Sequence, residues 1–264
     1  MTSTTTATKK VLVSAQNITQ SFTVGEESTQ VLKKADFAIK ENSFTIVYGQ
    51  SGSGKSTLLN ILTGLQKPSS GQVTFSGEDV YKLPPNRLAH FRASRIGIVY
   101  QQNFWVKSLN VIENVSMPLY FLGYSKSAAA KKAYEALDRI GMKTYGKKNP
   151  SLLSGGEQQR VAVARAIVND PMFIIADEPT GALDSTNGEM IMSLLHTAQA
   201  KENRTVILVT HNLEYLPLAD HLLHIQDGVV EEIADSKIDH ATDTLIKDMR
   251  ERILRLAKMK KDAL

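Results

Sequence analysis

Apolar residues along the chain fall into short runs that alternate with stretches of helical spacing. Strict alternation of apolar and polar positions predicts edge-type strands over residues 11–17 and 31–39. Apolar β-rich runs predict further strands, and helical periodicity predicts helices. The further predicted strands are 43–48, 73–75, 96–100, 172–176, 205–210 and a closing hairpin of 222–226 with 229–233, and the predicted helices are 55–62, 155–169 and 185–200. Strands that alternate with helices predict an α/β fold with a largely parallel core sheet.

One long segment, residues 109–146, differs from its surroundings because it is rich in Ala and Lys and shows helical spacing. Tyr134, Leu137 and Ile140 fall on one face of this predicted helical region.

The last segment, residues 236–264, is set apart by composition, with eight Lys or Arg and five Asp or Glu. Leu245, Met249, Leu256 and Met259 can line one face of a helix there. Such a helix could face a partner or a lipid surface. The weak patterning favours a helix packed on its own domain, with a solvated charged face.

Composition narrows the classes of protein to which the chain can belong. With 42% apolar and 22% charged residues among 264, it has enough apolar material for a core, which excludes wholesale disorder. The absence of cysteine excludes disulfide scaffolds, thiolate metal sites and cysteine nucleophiles. A net charge of +4 is too small to indicate nucleic-acid binding unless it is clustered.

Two observations concern membranes and targeting. No run of about 20 apolar residues is present, so the sequence predicts no membrane-spanning helix. Residues 1–10 form a Thr-rich polar stretch without an apolar core, which predicts a flexible tail rather than a signal peptide. If the protein works at a membrane, we therefore expect a partner to bring it there.

A phosphate-binding loop is predicted between the strand 43–48 and the helix 55–62. The pattern G-x-x-x-x-G-K-[ST] is matched by Gly49, Gln50, Ser51, Gly52, Ser53, Gly54, Lys55 and Ser56. Glycines let backbone N–H groups point at phosphate oxygens, and the helix N-terminus adds partial positive charge. We expect Lys55 to neutralise the β- and γ-phosphates, Ser56 to offer a hydroxyl to Mg²⁺, and Thr57 to supply a second hydroxyl. A Gly/Ser-rich turn that matches by chance is the alternative.

Two adjacent carboxylates follow the strand 172–176, whose apolar sequence indicates a central parallel strand buried on both faces. Ligands of α/β folds bind at this edge of the sheet. We expect Asp177 to hold Mg²⁺ through water, and Glu178 to orient the water that attacks the γ-phosphate or to accept its proton. Two solvated acids at the start of a loop are the alternative, which the presence of the phosphate loop disfavours.

A second anion site is predicted at Ser154, Gly155 and Gly156, where a good N-cap residue and two glycines begin the helix 155–169. One bound triphosphate does not need two such sites on the same chain. Two chains arranged head-to-tail would each complete the site of the other. A Ser-Gly loop that only starts a helix is the alternative, and it explains the octet 153–160 poorly.

In these motifs and their order, the sequence resembles the nucleotide-binding subunits of ABC (ATP-binding cassette) transporters over residues 11–232. The matching positions are Phe22 (adenine-stacking aromatic), Gly49 to Thr57 (Walker A), Gln101 (Q-loop), Ser154 to Gln158 (signature), Asp177 and Glu178 (Walker B and catalytic glutamate), Asp184 (D-loop) and His211 (switch histidine). Phe22 stands where tyrosine is more usual, and stacking needs a ring face rather than a hydroxyl.

The resemblance implies a fold and a domain organisation. The fold is a P-loop NTPase cassette with a RecA-like parallel-sheet core, an antiparallel β subdomain and an α-helical subdomain. The cassette is expected over residues 11–235, with its helical subdomain at about 103–155. A C-terminal helical extension, 236–264, lies beyond the family pattern.

The resemblance also implies an activity, the hydrolysis of ATP with Mg²⁺. Two ATP molecules are expected between two copies of the chain, and each γ-phosphate meets Lys55 and Gln101 of one copy and Ser154 and Gly156 of the other. The implied catalytic residues are Lys55, Gln101, Glu178 and His211. The implied Mg²⁺ ligands are Ser56, Gln101 and Asp177. The implied nucleotide contacts also include Phe22, residues 49–57, Ser154, Gly155, Gly156, Gln158, Asp184 and His211. Asp184 is expected to cross the dimer interface.

The signature and Walker B runs resemble, in detail, the lipoprotein-release, macrolide-efflux and FtsE-type ATPases. This resemblance implies a permease partner with few spans and a large extracytoplasmic domain, and a peripheral location at the cytoplasmic face of the cell membrane. Five aromatic residues are either anchors for a permease coupling helix or ordinary packing of the helical subdomain. They are Phe104, Trp105, Tyr120, Phe121 and Tyr124.

Two other classes of function remain as alternatives. A soluble ABC-type ATPase that acts on nucleic acid or ribosomes usually carries a coiled-coil insert or two cassettes in one chain. This chain has one Walker A motif, one signature and no heptad run, and no nucleic-acid partner is expected. A non-hydrolysing nucleotide-binding regulator is disfavoured by the intact Glu178 and His211. His221 and His224 are three residues apart, but no further metal ligand accompanies them.

Overall fold

The computed structural model describes residues 10–233. The predicted tail, apart from Lys10, and the predicted extension 236–264 lie outside the described residues. Within residues 10–233, no helix combines the length and the apolar character that crossing a bilayer requires. The proposed limits of the domain and of its helical part stay predictions.

An antiparallel sheet of four strands forms one layer, in the order β2-β1-β4-β5. Its strands are β1 (Val11–Val24), β2 (Glu27–Lys40), β4 (Ser70–Phe75) and β5 (Glu78–Asp79). The first two strands extend well beyond the predicted 11–17 and 31–39, because they pair through a hairpin whose outer residues are polar and exposed. Backbone pairing and not burial stabilises that outer part, so hydrophobic patterning gives no sign of it.

A six-stranded sheet, in the order β10-β9-β3-β8-β7-β6, forms the central layer. Its strands are β3 (Phe44–Tyr48), β6 (Ile96–Val99), β7 (Phe173–Asp177), β8 (Thr205–Thr210), β9 (His221–Gln226) and β10 (Val229–Ile233). All neighbouring pairs are parallel except the β9–β10 hairpin. The prediction of a largely parallel core sheet is therefore confirmed.

Both faces of the six-stranded sheet are buried. On β7, Ile174 and Ala176 belong to one apolar core, whereas Phe173 and Ile175 belong to a second core on the opposite face. The same alternation on neighbouring strands places the sheet between helices on one side and, on the other, the antiparallel sheet with the helices Lys55–Leu62 and Pro85–Arg95. The carboxyl ends of the parallel strands therefore share one edge, where the candidate site lies.

Within residues 10–233, six α-helices accompany the sheets. They are α1 (Lys55–Leu62), α2 (Pro85–Arg95), α3 (Val111–Phe121), α4 (Lys126–Arg139), α5 (Gly155–Ile167) and α6 (Ser185–Glu202). Helix α2 was not predicted, because none of its residues is buried and an apolar stripe is missing. The predicted helical region 109–146 divides into α3 and α4 at Gly123, whose φ of 83° no helix adopts. Leu137 and Ile140 are buried on α4 and just after it, as the spacing predicted.

Candidate functional site

The phosphate loop connects the end of β3 to the start of α1, as predicted. Its close approach to β9 requires glycine at position 49, since a Cβ there would lie 2.1 Å from the carbonyl oxygen of Ile225. Gly54 adopts a φ of 110° directly before α1, a backbone conformation that L side chains rarely adopt. The hydroxyl of Ser53 is buried in the loop without a partner among the described residues. A phosphate oxygen could accept a hydrogen bond from it.

Lys55 lies folded over the loop that precedes it. Its Nζ donates hydrogen bonds of 2.8 Å to the carbonyl oxygens of Gly49 and Gln50. Burial lowers the pKa of Lys55, while the nearby carboxylates of Glu178 and Asp177 act in the opposite direction. The ammonium group is thus positioned in the loop and desolvated, and an anion in the loop would be attracted to it.

The two predicted acids occupy the end of β7. Asp177 pairs with Val209 on β8, and its pKa is raised by burial and by the neighbouring charge of Glu178, against the effect of Lys55. Glu178 follows with a φ of 44°, an uncommon conformation for a residue other than glycine. Its backbone N–H donates to the carbonyl oxygen of Val209 at 2.9 Å. Both acids therefore stand at the carboxyl end of β7, at the edge of the sheet.

Glu178 has a partner on each carboxylate oxygen. His211 places Nδ1 2.7 Å from Oε1, and the hydroxyl of Thr210 donates to Oε2 at 3.3 Å. His211 is exposed, and it follows directly on β8, so the sheet itself positions it beside β7. Thr210 is a functional residue that the motifs did not include, although its position at the end of a buried strand, directly before His211, was a signal for it.

Gln101 lies two residues beyond the end of β6 and is exposed. A Cβ added to Gly181 would lie 2.9 Å from Nε2 of Gln101, so this amide lies against the turn that follows Glu178. The N–H of Gly181 in turn donates to the carbonyl oxygen of Glu178. The structure thus brings Gln101 to the same edge of the sheet as the acids and His211.

Ser154 caps α5, as predicted, in a reciprocal arrangement with Glu157. The Ser154 hydroxyl accepts from the N–H of Glu157 at 3.3 Å, and Oε2 of Glu157 accepts from the N–H of Ser154 at 2.8 Å. The hydrogen bonds from Ser154 and from the Tyr145 side chain lower the pKa of Glu157. Ser154 and Gly155 are exposed at this helix N-terminus.

Gly156 and Asp184 both lie against Asn187. A Cβ at Gly156 would lie 2.1 Å from Oδ1 of Asn187. Asp184 caps α6 by accepting from the N–H of Asn187 at 2.9 Å and from its side-chain amide at 2.7 Å, which lowers the pKa of Asp184. No pattern along the chain pointed to Asn187, because its contact with Gly156 joins two different helices.

Gln158 differs from the other signature residues. Its Oε1 accepts from the indole N–H of Trp105 at 2.9 Å, and its Nε2 donates to the carbonyl oxygen of Leu153 at 3.0 Å. Both polar ends of this amide are therefore engaged within the chain. The nucleotide contact that the resemblance implied for Gln158 stays a prediction.

Phe22 lies on β1 in the other sheet, with 43% of its surface exposed. The β2 side of that sheet reaches the phosphate loop, because a Cβ at Gly54 would lie 3.0 Å from Leu32. The ring of Phe22 is thus available for stacking. The phosphate loop is also joined to the β9–β10 turn, where the N–H of Gly228 donates to the carbonyl oxygen of Ser53 at 3.1 Å.

His221 and His224, which are three residues apart in the sequence, each contact another side chain of the chain. His221 Nε2 lies 2.9 Å from Oε1 of Glu232, and the ring of His224 stacks on Tyr48 at a centroid distance of 4.8 Å. In the part of the chain that the structure describes, no three His, Cys, Asp or Glu residues cluster as a metal site.

A cleft of about 840 Å³ opens beside Glu178 and His211. Its walls come from residues 178–196, which include Asp184, and from residues 211–218. Among the described residues, none of the phosphate loop lines this cleft. The cleft is therefore distinct from the position of a phosphate on Lys55.

Comparisons with known proteins agree with this geometry. The family model described as "ABC transporter" matches residues 32–181. The chain is 39% identical over 232 residues to the ABC transporter ATP-binding protein YvrO of Bacillus subtilis, covering 87% of this chain and 100% of YvrO. It is 37% identical over 218 residues to the lipoprotein-releasing system ATP-binding protein LolD of Buchnera aphidicola, covering 83% and 95% of the two chains. It is 40% identical to the macrolide export ATP-binding/permease protein MacB of Vibrio parahaemolyticus, covering 86% of this chain and 34% of MacB.

Solved structures that resemble this chain are also ATP-binding subunits of ABC transporters. A dimeric post-hydrolysis state of an ATP-binding cassette, bound to ADP and Pi, superposes with a TM-score of 0.78 at 38% identity, over 85% of this chain and 99% of that chain. That cassette is the ABC transporter ATP-binding protein of Methanocaldococcus jannaschii. The structure of cbiO1 from Clostridium perfringens has a TM-score of 0.78 at 27% identity, over 96% of this chain and 100% of that chain. The chain therefore belongs to the ABC transporter family, as one of its ATP-hydrolysing subunits.

Proposed function

We propose that this protein hydrolyses ATP between two copies of itself, with the roles below, and drives a membrane permease of the lipoprotein-release or macrolide-export type. The observation that carries the proposal is the contact between His211 and Glu178 at the sheet edge that also holds Asp177 and, within electrostatic reach, Lys55. Relatives named for lipoprotein release and macrolide export support the type of partner.

Lys55 and the loop bind the phosphates. The carbonyl oxygens of Gly49 and Gln50 fix the ammonium group in place, and phosphate oxygens would share its three donors. Because the group is partly buried, its attraction to the phosphates is screened less than at an exposed surface. Backbone N–H groups of the loop and the start of α1 stabilise the same negative charge.

Glu178 acts on the attacking water. The water oxygen forms a bond to the γ-phosphorus, the bond from that phosphorus to the β–γ bridging oxygen breaks, and the water proton passes to the carboxylate of Glu178. His211 and Thr210 restrain one carboxylate oxygen each, so the orientation of the base is set before nucleotide arrives.

Three oxygen donors at this edge of the sheet fit Mg²⁺ by their chemistry. Mg²⁺ prefers hard oxygen donors. The chain offers the exposed hydroxyl of Ser56, the carboxylate of Asp177 and the amide oxygen of Gln101. The raised pKa of Asp177 shows that its negative charge is incompletely compensated within the chain, so a cation would stabilise it. When bound with ATP, Mg²⁺ neutralises charge on the phosphate oxygens.

The second copy completes each site. The exposed Ser154 at the cap of α5 presents its hydroxyl to the γ-phosphate bound by the other copy, and the N–H of Gly156, which is buried in this chain, follows in the first turn of the same helix. Asp184, also exposed, lies at the start of α6 and faces the same interface. Loss of the γ-phosphate removes the charge that joins the copies, and the dimer opens.

A cleft of about 260 Å³ between β6, α3 and α5 is the proposed docking position for the permease, at the cytoplasmic face of the membrane. Phe104 and Arg165 line it, and Phe104 is 68% exposed. Phe121, which is 75% exposed, stands at the end of α3. Exposed aromatic side chains of this size are typical anchors of protein interfaces. No observation favours nucleic acid or the ribosome as the partner.

Size-exclusion chromatography with light scattering tests the ATP dimer. We expect the Glu178→Gln variant to form a stable dimer with ATP, because the nucleotide is bound but not consumed. The Lys55→Ala variant should remain monomeric under the same conditions. If Glu178→Gln also remains monomeric at saturating ATP, the proposed function is wrong.

Site-specific crosslinking tests the permease. The chain has no cysteine, so Phe121→Cys creates a single attachment point on the proposed docking surface. We expect it to crosslink to an integral membrane protein in native membranes. Lys82→Cys, whose side chain is 77% exposed, is the matched control and should not. Equal crosslinking by both variants would contradict the proposed docking position.

A further inference from the structure

The cleft between helix α6 and residues 211–218, which we call the α6 cleft, is larger than the proposed chemistry requires. Among the residues that line it, only Glu178, Asp184 and His211 have a role in the proposed function. Its volume of about 840 Å³ lies within the range of roughly 300–1,000 Å³ that is typical of binding clefts. An occupant other than the nucleotide therefore has room in it.

Part of the lining of the α6 cleft is apolar. Met192 is buried and belongs to the same apolar core as Leu216, and Leu213 and Tyr215 pack against that core while only partly buried. Leu218, which also lines the cleft, is 37% exposed. An occupant that covers these side chains removes apolar surface from water, which favours binding.

The charged groups of the α6 cleft are acidic. Four carboxylates line it, and no Lys or Arg of residues 10–233 does so. Two of these acids, Glu189 and Glu214, are exposed, and neither forms an ion pair within the described part of the chain. The cleft therefore fits an occupant that carries positive charge as well as apolar side chains.

One segment of the same chain has this composition. Residues 247–261 contain seven Lys or Arg against two Asp or Glu. In the same stretch, apolar side chains recur every three or four positions, the spacing of one helical face, at Met249, Ile253, Leu256 and Met259. A basic stretch with this apolar spacing is the type of segment that binds an apolar groove with acidic side chains.

The described chain ends on the face of the central sheet that carries the α6 cleft. Ile233, the last residue of β10, pairs with Leu222 and packs, partly buried, against the core that contains Met192. The thirteen residues 234–246 then span at most about 45 Å when extended, whereas a domain of this size has a radius of gyration of roughly 17 Å. The basic stretch can therefore reach the cleft of its own chain.

We propose that residues 247–261 dock in the α6 cleft of their own chain. Their apolar side chains cover the apolar lining, and their Lys and Arg side chains lie beside Glu189 and Glu214. Attachment to the same chain gives an effective concentration on the order of millimolar, which favours the chain's own cleft over that of a second copy. The docked segment lies beside His211 and outside the phosphate loop, so docking requires neither ATP nor dimerisation.

Site-specific crosslinking in the full-length chain tests the docking. Since cysteine is absent, Ser193→Cys, at an exposed position of α6 that lines the cleft, can be combined with one cysteine in the segment. Lys82→Cys is the matched control, because its side chain is 77% exposed and Val80 beside it packs in the core on the opposite face of the sheet. The cysteine in the segment replaces, one at a time, Met249, Ile253, Leu256 and Met259.

We expect a short bis-maleimide to join Ser193→Cys to at least one of the four positions within a single chain. The yield should be at least about fivefold higher than for Lys82→Cys with the same position, because docking keeps the two thiols together. Equal yields from Ser193→Cys and Lys82→Cys at all four positions would overturn the proposal.

Charge reversal tests the complementarity of the two surfaces. We expect Glu189→Lys/Glu214→Lys to lower the crosslinking yield by about two- to tenfold, the effect of two exposed ion pairs, and added salt to lower the parental yield. Glu26→Lys/Glu27→Lys is the matched control, since it changes the net charge equally at exposed positions of the β1–β2 hairpin. A parental yield in Glu189→Lys/Glu214→Lys, or an equal loss in the control, would contradict the assignment of the acids.

Two further measurements distinguish other occupants. Chains that carry only Ser193→Cys are mixed with chains that carry only the segment cysteine, and a covalent dimer in a yield equal to the intrachain product would assign the cleft to a second copy. Crosslinking at the level of the Lys82→Cys control, together with flotation of the full-length chain on phosphatidylserine vesicles, would assign the basic stretch to an acidic lipid surface. Either result would overturn docking within one chain.

Discussion

Nδ1 of His211 lies 2.7 Å from Oε1 of Glu178, while the hydroxyl of Thr210 donates to the other oxygen of the same carboxylate. Both contacts come from the end of β8, and Glu178 comes from the end of the neighbouring strand β7. The parallel pairing of these two strands therefore sets the position of the proposed base. A base restrained in this way loses little freedom when the water and nucleotide arrive.

Removal of the imidazole should slow hydrolysis more than it weakens ATP binding. We expect His211→Ala to lower kcat by about 100-fold, at the lower end of the usual contribution of a general base, because Glu178 loses its orienting partner. Steady-state phosphate release measures kcat, and fluorescent-nucleotide titration measures affinity. His90→Ala, an exposed histidine on α2, is the control and should behave as the parent. A parental kcat in His211→Ala would contradict the role.

Neutralisation of Asp177 should stabilise the nucleotide-free protein while it abolishes Mg²⁺-dependent hydrolysis. Burial and Glu178 raise the pKa of Asp177, so its ionised form is disfavoured in the folded chain. Asp177→Asn removes this penalty at pH 7, and we therefore expect its Tm to lie above that of the parent.

The stabilisation that we expect from Asp177→Asn depends on pH, and its direction follows from the raised pKa of Asp177. A carboxyl group with a raised folded-state pKa destabilises the fold above that pKa, and the penalty disappears as pH falls below its ordinary value of 3.8. The Tm difference between Asp177→Asn and the parent should therefore shrink on acidification. Thermal melts between pH 4 and pH 8 measure it, and a lower Tm for Asp177→Asn at pH 7 would contradict the prediction.

A methyl group at position 49 should displace the phosphate loop. The Cβ of Gly49→Ala would lie 2.1 Å from the carbonyl oxygen of Ile225, so loop and β9 must separate. We expect a loss of about 1–3 kcal/mol in stability, together with weaker ATP binding. Gly77→Ala is the control, because it meets strain from a φ of 86° but no atom within 4 Å. It should lower Tm with parental ATP affinity, as measured by denaturation and calorimetric titration.

Loss of the Lys55 ammonium should weaken ATP binding without unfolding the loop. We expect Lys55→Ala to lower ATP affinity by about 10- to 100-fold, the value of a charged hydrogen bond of about 1.5–3 kcal/mol. Tm should change little, because the variant loses two hydrogen bonds and also the cost of burying a charge. Lys126→Ala, at an exposed position of α4, is the control. An unchanged affinity for ATP in Lys55→Ala would refute the loop's role.

Elements with a strong apolar pattern were predictable from the sequence. Helix α1 and strand β8 occupy the predicted residues, because their burial follows the period of a helix or a fully buried strand. Helix α2 was missed, although Pro84 at its N-cap and Pro85 at its first position were a possible start signal. The break at Gly123 was also missed, because apolar spacing continues across it.

The sequence by itself determined the identity of the chemical groups, since the loop from Gly49 to Lys55 and the two acids after a buried strand are local motifs, and the resemblance to a family singled out His211. Tertiary structure alone decided their contacts. Thr210 with Glu178 and Trp105 with Gln158 are 32 and 53 residues apart. The physical reason is that such pairs meet only when neighbouring strands and helices pack, and hydrogen bonds between them leave no periodic trace along the chain.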